Sequence, residues 1–299
     1  MNPANPKPYA LPADATWLIT GCSSGIGKAL ATLIASKPSH RLIATARNPA
    51  DLSNLPDDNA KILKLALDVT SPASVNAAFD AAAAHFGNDF HVDAVVNSAG
   101  YSLSGDTESA AEEETHLEME TLFFGTARVA TRAISIMRQH VEHRGGVIFN
   151  ISSLAGQLGF PGHAYYHAGK WAVEGWTESV AKEMHPDWNI NFCIVEPAAV
   201  KTNFEGHSKA NTAPHPAYQA ADMPARVLAR YVDAGLKMGV GAEPSAVADA
   251  IYGIASRGEK IPLRVPLTAN AWKMIKGKFE SFLPELEAVK DISAMGQQI

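Results

Sequence analysis

The chain has few cysteines, no dense cluster of basic residues and no long apolar run, and each of these absences excludes a class of protein. Its 299 residues include only two cysteines, Cys22 and Cys193, which argues against a disulfide framework and predicts free thiols in a reducing compartment. A net charge of −6 with scattered Lys and Arg residues argues against a nucleic-acid surface. No apolar run approaches the roughly 20 residues that a membrane helix needs.

Two further absences concern the N-terminal segment and the histidines. Residues 1–13 contain no apolar signal core, so this segment is expected to be a loose arm. His163, His167 and His185 lack the carboxylates or cysteines that would complete a metal site at ligand spacing. The sequence therefore predicts a soluble cytoplasmic protein with no membrane span, no nucleic-acid partner and no metal.

What the chain does contain is an alternation of short apolar runs with helical patterns. Nearly continuous apolar strands separated by helices are typical of a parallel sheet that is covered on both faces. We therefore predict one doubly wound α/β domain over residues 1–299, with ligands at the carboxyl ends of the strands. The predicted strands cover 16–20, 41–46, 61–67, 92–97, 147–152, 189–195 and 261–265, and the predicted helices cover 26–36, 73–86, 112–139, 164–184 and 244–256.

Two segments depart from this alternation. Residues 203–241 follow the sixth predicted strand, are rich in Ala, Pro and His, and include an amphipathic stretch at 225–238. A position over the carboxyl edge of the sheet favours a helical substrate lid, and a surface excursion is the alternative interpretation. Residues 266–299 are predicted to be a helical extension with the pattern of a solvated amphipathic helix.

A glycine-rich turn joins the first predicted strand to the first predicted helix. Glycines let a backbone approach a pyrophosphate closely, and the N-terminus of a helix offers unpaired N–H groups and a favourable dipole. The turn is therefore expected to bind the phosphates of a nucleotide cofactor. Its expected contact residues are Gly21, Ser23, Ser24, Gly25, Ile26 and Gly27.

Three polar residues further along the chain suggest proton-transfer chemistry. Tyr166 and Lys170 are four residues apart on a predicted helix, so their side chains share one face. A tyrosine exchanges protons usefully near neutral pH only when its pKa lies below the usual value of about 10, and a neighbouring ammonium favours the phenolate. Ser153 follows the fifth predicted strand, where its hydroxyl can donate to a carbonyl oxygen. A tyrosine and a lysine at this spacing usually belong only to the exposed surface of a helix. The nucleotide loop earlier in the chain favours the catalytic interpretation here.

Together these motifs, between Thr20 and Thr202, resemble those of the short-chain dehydrogenase/reductase family. The resemblance implies a Rossmann fold, catalysis by Ser153, Tyr166 and Lys170, and hydride transfer between a nicotinamide and a carbonyl or alcohol carbon. It also implies a homodimer or homotetramer that associates through two long helices, which are the fourth and fifth helices in the numbering of the family. Tyr166 and Lys170 would contact the cofactor too, and further contacts are implied at Asp68, Asn97, Ala99, Gly100, Pro197, Val200 and Thr202.

The choice of cofactor rests on the end of the second predicted strand. Members of the family that use NAD usually place an acidic residue there to bind the ribose 2′-hydroxyl. This chain has Arg47 and no carboxylate at that place, and a guanidinium can pair with a 2′-phosphate through its planar fork. We therefore expect NADPH/NADP as the cofactor; a solvated arginine is the alternative interpretation of Arg47.

Three positions depart from the pattern of the family around one pocket. Leu122 stands where an Asn often takes part in a proton relay, Gly169 replaces the usual Ser or Thr before the lysine, and Ala198 replaces a Gly after Pro197. The leading hypothesis is an NADPH-dependent reductase acting on a small hydrophobic carbonyl or alcohol. The departures keep two others open: a non-redox rearrangement or cyclisation of a metabolite on the same fold, and a non-catalytic nucleotide-responsive binding protein.

Overall fold

Seven parallel strands form the central sheet of the computed structural model, which describes residues 6–87, 90–139, 144–206 and 208–297. In chain order the strands are β1 (Thr16–Ile19), β2 (Arg41–Ala46), β3 (Ile62–Ala66), β4 (Ala94–Asn97), β5 (Ser102–Ser104), β6 (Gly146–Ile151), β7 (Ile190–Pro197), β8 (Lys209–Asn211) and β9 (Arg264–Leu267). The central sheet has the order β3-β2-β1-β4-β6-β7-β9, and β5 pairs separately with β8. The doubly wound α/β fold predicted from the alternation is confirmed.

Helices cover both faces of this sheet, so its strands are buried on both sides. Within β1, Trp17 and Ile19 pack into the core on one face and Leu18 packs into the core on the other. This division follows from the alternation of side chains along a strand. The helices are α1 (Gly25–Ala35), α2 (Pro72–Phe86), α3 (Glu112–Met119), α4 (Gly125–Gln139), α5 (Ala164–Glu183), α6 (Pro224–Lys237), α7 (Pro244–Ser256), α8 (Ala269–Ala288) and α9 (Lys290–Ala294). None of the helices in the described ranges is long and apolar enough to cross a membrane.

Two predicted elements differ from the observed ones near the site. The helix predicted over 112–139 is divided into α3 and α4 by a π-helical turn at Glu120–Phe124. A π turn adds one residue to a helical turn, which the spacing of apolar residues does not reveal. The last strand lies at Arg264–Leu267 rather than 261–265, because it pairs with the end of β7.

The arm predicted over 1–13 is anchored to the core at Tyr9, although residues 6–8, 10 and 13 on either side of it are exposed. The Tyr9 side chain is 1% exposed, and its hydroxyl donates to the backbone oxygen of Asp93 at 3.1 Å. Its backbone N–H donates to the oxygen of Glu259. Residues 1–5 of the arm lie outside the described residues.

The segment 203–241 is attached to the loop that follows β5. Strand β8 of this segment runs parallel to β5, and helix α6 follows it. Asp106, which is 2% exposed, accepts hydrogen bonds from the Arg226 guanidinium at 2.6 Å and from the His215 backbone at 3.0 Å. Residues 266–297 contain the end of β9 and helices α8 and α9, and 298–299 lie outside the described residues.

Candidate active site

The predicted site residues lie along the carboxyl edge of the central sheet, where neighbouring parallel strands end side by side. Following the strand order across the sheet, the edge carries Asp68 after β3, Arg47 after β2, the glycine-rich turn after β1, Asn97 at the end of β4, Ser153 after β6 and Pro197 at the end of β7. The order reverses direction between β1 and β4, which is where open α/β sheets form a ligand crevice.

The glycine-rich turn has the shape that a phosphate requires. Gly21 and Gly25 have positive φ angles of 73° and 56°, which favour glycine. A Cβ atom on Gly21 would lie 2.9 Å from Cα of Ala99, and one on Gly27 would lie 2.4 Å from the backbone oxygen of Gly21. The side chain of Ser24, the N-cap of α1, makes no capping hydrogen bond, so the first N–H groups of α1 are not capped by it. The turn therefore fits the pyrophosphate of a dinucleotide.

Hydrogen bonds hold this turn against the end of β4. The hydroxyl of Thr20 accepts from the backbone N–H groups of Ser98 and Ala99 at 3.0 and 3.1 Å. Asn97 is 4% exposed and donates through Nδ2 to Oδ1 of Asn150 at 2.8 Å. The structure thus brings Asn97 and Ala99 next to the nucleotide turn, and Gly100 follows directly.

The segment after β7 closes the other side of the turn. A Cβ atom built on Gly25 would lie 3.2 Å from Cγ2 of Thr202. Val200 forms an isolated parallel bridge with Ala242, and Thr202 caps the short helical turn that follows by accepting from the Phe204 N–H. Thr202 therefore lies beside the nucleotide turn and directly before segment 203–241. From this position it can contact both that segment and a bound cofactor.

Asp68 and Arg47 occupy the far end of the edge. The Oδ1 atom of Asp68 accepts from the backbone N–H and the hydroxyl of Thr70, at 2.9 and 2.7 Å, which fixes the carboxylate beside the start of α2. Arg47 is exposed directly after β2. Neither side chain reaches the proton-transfer residues, which lie at strands on the other side of the nucleotide turn.

Tyr166 and Lys170 share one face of α5, as the spacing predicts. The Lys170 Nζ atom lies 5.7 Å from the centroid of the Tyr166 ring and donates to the backbone oxygen of Ile151 at 2.7 Å. Lys170 is 7% exposed, and burial lowers its pKa to about 8, against the opposing charges of Glu118 and Glu174. Lys170 thus holds an ammonium at the end of β6, on the face of α5 that carries the Tyr166 ring.

Ser153 starts the turn after β6, with its hydroxyl oxygen accepting from the Ala155 N–H at 3.1 Å. Its hydroxyl proton stays available to a substrate oxygen, because this contact uses a lone pair and not the proton. The structure places Ser153, Tyr166 and Lys170 on the end of one strand and the helix after it. This arrangement can polarise a carbonyl and deliver a proton to it.

Sequence reasoning missed a buried polar network behind Ser153. Gln157 donates through Nε2 to Glu174 Oε2 at 3.1 Å and to Glu196 Oε1 at 3.0 Å, and Arg264 Nε donates to Glu174 Oε2 at 3.0 Å. Burial, together with the charge of Glu174, raises the pKa of Glu196 to about 8. These residues come from the turn after β6, from α5, from β7 and from β9, so only the folded chain brings them together.

Glu118 is a second residue that sequence reasoning missed. Its side chain is 0% exposed, and its Oε1 atom accepts from the Leu103 N–H at 2.7 Å. Burial raises the pKa of Glu118 to about 7, and the charge of Lys170 acts in the opposite direction. A glutamate in the polar pattern of α3 gives no signal of this burial.

Leu122 and Gly169, two of the departures from the family pattern, are in contact. A Cβ atom built on Gly169 would lie 2.9 Å from Cδ1 and 3.2 Å from Cβ of Leu122, and one built on Gly100 would lie 2.9 Å from Cδ2 of Leu122. The leucine side chain therefore occupies space that a side chain at position 169 would need. The two departures are a single coupled change.

We expect Gly169→Ala to destabilise the protein by about 1 kcal/mol, although alanine normally favours a helix over glycine by a similar amount. In a Leu122→Ala background the same substitution should become stabilising, giving a coupling energy of about 1–2 kcal/mol. Urea unfolding of the four variants measures this cycle. Gly175→Ala in the same helix, where a Cβ atom would meet nothing within 4 Å, is the matched control. Additive effects at 122 and 169 would contradict the coupling.

The fold, the glycine-rich turn and the Ser-Tyr-Lys arrangement define an oxidoreductase with a nicotinamide cofactor. The chain belongs to the short-chain dehydrogenase/reductase family, because the family profile described as short chain dehydrogenase matches residues 15–213. Members of this family use NAD or NADP. The predicted family is confirmed.

Relatives of known name support the same assignment. The chain is similar to oxidoreductase calM of Penicillium decumbens, with 65% identity over 295 residues that cover 99% of this chain and 97% of that protein. It is 37% identical over 187 residues to a 3-ketodihydrosphingosine reductase of Bacteroides thetaiotaomicron, covering 62% of this chain and 64% of that protein. A solved short-chain dehydrogenase from Streptomyces avermitilis is 32% identical, with a TM-score of 0.79 over 93% of this chain and 98% of that one.

Proposed function

We propose that this protein is an NADPH-dependent reductase that converts a carbonyl group of a hydrophobic small molecule to an alcohol. The observation that carries the proposal is the buried Lys170 ammonium 5.7 Å from the Tyr166 ring, on the helix that follows Ser153. A buried cation beside a phenol is a costly arrangement unless the charge has a use, and stabilising a phenolate is such a use.

The residues at the carboxyl edge of the central sheet have different roles in the proposed reaction. NADPH, when bound, would supply the hydride that reduces the carbonyl carbon and would be oxidised to NADP⁺. The phenol of Tyr166 donates its proton to the carbonyl oxygen as general acid, while the Ser153 hydroxyl donates a hydrogen bond to that oxygen. The Lys170 ammonium stabilises the Tyr166 phenolate until solvent returns the proton. The cofactor would be held by Gly21, Ser23, Ser24, Gly25, Ile26 and Gly27 at the pyrophosphate, Asp68 at the adenine, Lys170 at the nicotinamide ribose, and Pro197, Val200 and Thr202 at the nicotinamide.

A hydrophobic substrate is supported by the segment 203–241, which we propose to be a lid. The ring of Phe204, at the start of this segment, lies 5.7 Å from the ring of Tyr166 between centroids. An aromatic ring in that place favours apolar groups next to the reacting carbonyl. One relative is named a 3-ketodihydrosphingosine reductase, and that name denotes a keto group on a long apolar molecule.

The test follows NADPH absorbance over a panel of ketones and aldehydes with increasing apolar substituents. We expect oxidation of NADPH with some members of the panel and one alcohol formed per NADPH consumed. The Leu122 side chain, which lies against Gly100 and Gly169 where the family often has an Asn, favours one competing function, a rearrangement without redox change. Product formed without consumption of NADPH would support the rearrangement and would contradict the proposal that the protein is a reductase.

Arg47 should set the preference for NADPH over NADH. Its guanidinium is exposed at the end of β2 and would pair with the 2′-phosphate. We expect Arg47→Ala to raise the Kd for NADPH about 10- to 100-fold, the value of one charge-assisted pair. NADH, which lacks the phosphate, is the matched control ligand and its Kd should change less than about twofold. Fluorescence titration measures both constants, and equal weakening of both would exclude this role.

We also propose that the protein acts as a homodimer or homotetramer in the cytoplasm. Three large apolar side chains are exposed, namely Leu117 on α3 at 53%, Phe124 in the π-helical turn at 49% and Trp171 on α5 at 46%. Such side chains on neighbouring helices favour a contact between subunits. The two cysteines, Cys22 and Cys193, are buried unpaired thiols, which agrees with a reducing compartment.

A further inference from the structure

His167 is a buried histidine on α5 that directly follows Tyr166 and has no role in the proposed reaction. The residue is 7% exposed, and both of its ring nitrogens contact the segment that follows β6. Nδ1 lies 2.9 Å from the backbone oxygen of Ala155, and Nε2 accepts from the backbone N–H of Phe160 at 3.1 Å. One imidazole therefore ties both ends of residues 155–160 to the helix that carries Tyr166.

These two contacts fix which ring nitrogen carries the proton. The N–H of Phe160 can only donate, so Nε2 has to be the unprotonated nitrogen. The oxygen of Ala155 can only accept, so Nδ1 has to carry the proton and donate it. Burial lowers the pKa of His167, against the opposing effect of the backbone oxygens of Ala155 and Leu158, and this favours the neutral ring. The imidazole therefore has one donor and one acceptor in fixed directions.

The backbone of Ala155 connects this histidine to Ser153. The Ala155 oxygen accepts from Nδ1 of His167, and the Ala155 N–H donates to the Ser153 hydroxyl oxygen at 3.1 Å. The second bond uses a lone pair of that oxygen, so the hydroxyl proton stays available to a substrate oxygen. The two bonds in series set where the Ser153 hydroxyl lies relative to α5, and therefore relative to the phenol of Tyr166.

Gln157 anchors the same turn independently of the histidine. Its side-chain amide donates to Glu174 on α5 and to Glu196 on β7, at 3.1 and 3.0 Å. The turn therefore stays attached to both elements when the imidazole is replaced. A change at His167 should shift the start of the turn, where Ser153 lies, without releasing the whole segment.

Packing alone does not explain why this position carries a histidine. The imidazole lies among aromatic rings, with centroids 5.5 Å from that of Phe160, 6.4 Å from that of His163 and 6.1 Å from that of Tyr166, and an apolar ring would fill the same space. A buried polar atom is unfavourable unless it has a hydrogen-bond partner. Both imidazole nitrogens have their partners on the segment beyond Ser153, so the polar atoms place that segment.

We propose that His167 is a positioning residue that sets the place of the Ser153 hydroxyl through the backbone of Ala155. This inference rests on the proposed function, since it assumes that Ser153 donates a hydrogen bond to the carbonyl oxygen during reduction. The donor at Nδ1 carries the effect on Ser153. The acceptor at Nε2 has a separate role, which is to hold the far end of the segment at Phe160.

Two carboxamide variants test the two nitrogens separately. In His167→Asn the amide nitrogen takes the place of Nδ1 and can still donate to Ala155. In His167→Gln the amide oxygen takes the place of Nε2 and can still accept from Phe160. With the best carbonyl of the panel, we expect kcat to stay within about threefold of wild type in His167→Asn and to fall about 10- to 100-fold in His167→Gln, because a displaced donor loses much of its effect on the carbonyl oxygen. The KM for NADPH should change less than about threefold in both variants.

A cycle with Ser153→Ala distinguishes positioning from a general loss of structure. Once the serine hydroxyl is absent, His167→Gln should lower kcat by less than about twofold further. His85→Gln is the matched control, because His85 also contacts a backbone oxygen, that of Ala60 at 2.9 Å, but is exposed on α2. It should keep the rate of wild type. Equal losses in His167→Asn and His167→Gln, or the same loss with and without the Ser153 hydroxyl, would overturn the role of His167.

Two measurements without substrate separate this inference from the proposed function. In the protein without cofactor, NMR of isotope-labelled histidine, with the His167 signals assigned by their absence in His167→Asn, reports which ring nitrogen carries the proton. We expect the proton on Nδ1, and a proton on Nε2 would overturn the proposal. Hydrogen exchange of the Ala155 amide should be faster in His167→Gln than in wild type or His167→Asn, and equal rates in all three would also overturn it. Failure of wild type to oxidise NADPH would overturn the reductase, and these two measurements would still decide whether His167 positions Ser153.

Discussion

Tyr166→Phe is expected to lower the rate of NADPH oxidation by about 10²- to 10⁴-fold, the range for loss of a general acid. The substitution removes the hydroxyl that donates the proton and keeps the ring that packs against Phe204 at 5.7 Å. Because the phosphate-binding turn lies on other strands, the Kd for NADPH should change less than about threefold. Steady-state kinetics and fluorescence titration of the same preparation measure the two quantities.

Tyr165→Phe is the matched control for this prediction. It removes the same hydroxyl from the preceding residue, which lies about 100° around α5 from Tyr166 and has Gly169 four residues after it. We expect its turnover to stay within about threefold of wild type. Unchanged turnover in Tyr166→Phe would exclude the proposed mechanism, whereas a loss in both variants would show that the helix and not the hydroxyl was damaged.

Gly27→Ala is expected to abolish cofactor binding and to destabilise the fold by about 1–3 kcal/mol. A Cβ atom at this position would lie 2.4 Å from the backbone oxygen and 2.9 Å from the carbonyl carbon of Gly21, and 3.1 Å from the oxygen of Thr20. These are backbone atoms of the phosphate-binding turn, so the turn itself has to move. We expect no saturable NADPH binding at concentrations that saturate wild type, together with a lower urea midpoint.

Gly253→Ala in α7 controls for the general effect of replacing a glycine by alanine in a helix. A Cβ atom there would meet nothing within 4 Å, so the substitution should stabilise α7 by up to about 1 kcal/mol and leave cofactor binding unchanged. Wild-type affinity in Gly27→Ala would mean that the turn adapts to the methyl group, which the close approach to Gly21 argues against.

The sheet and the nucleotide turn could be predicted because their signals are local. All seven strands of the central sheet overlap predicted apolar runs, since burial on both faces demands continuous apolar residues such as Trp17, Leu18 and Ile19. The turn is equally local, because positive φ angles at Gly21 and Gly25 require glycine at fixed spacing.

The remainder of the site depends on contacts between residues far apart in the chain. Glu118 sits among acidic residues of α3, and only its burial, with Oε1 accepting from the Leu103 N–H, distinguishes it from them. The short pair of β5 and β8 joins segments about a hundred residues apart, each of three residues, which is too short for a periodic signal. The packing of Tyr9 depends on Asp93 in the same way. The spacing rules that locate strands and helices carry no information about such contacts.

Because of the π-helical turn at Glu120–Phe124, the number of residues between α3 and α4 sets how the two helices are rotated relative to each other beside the active site. One residue more than an α-helical turn separates α3 from α4, so the two halves are out of phase by about 100° of rotation. Loss of a single residue here would restore a regular helix and rotate α3 relative to α4 by about 100°, while every remaining residue keeps its own side chain. A deletion in this turn is therefore expected to disturb the site as a substitution at one of its side chains would, because it changes which residues of α3 face α5.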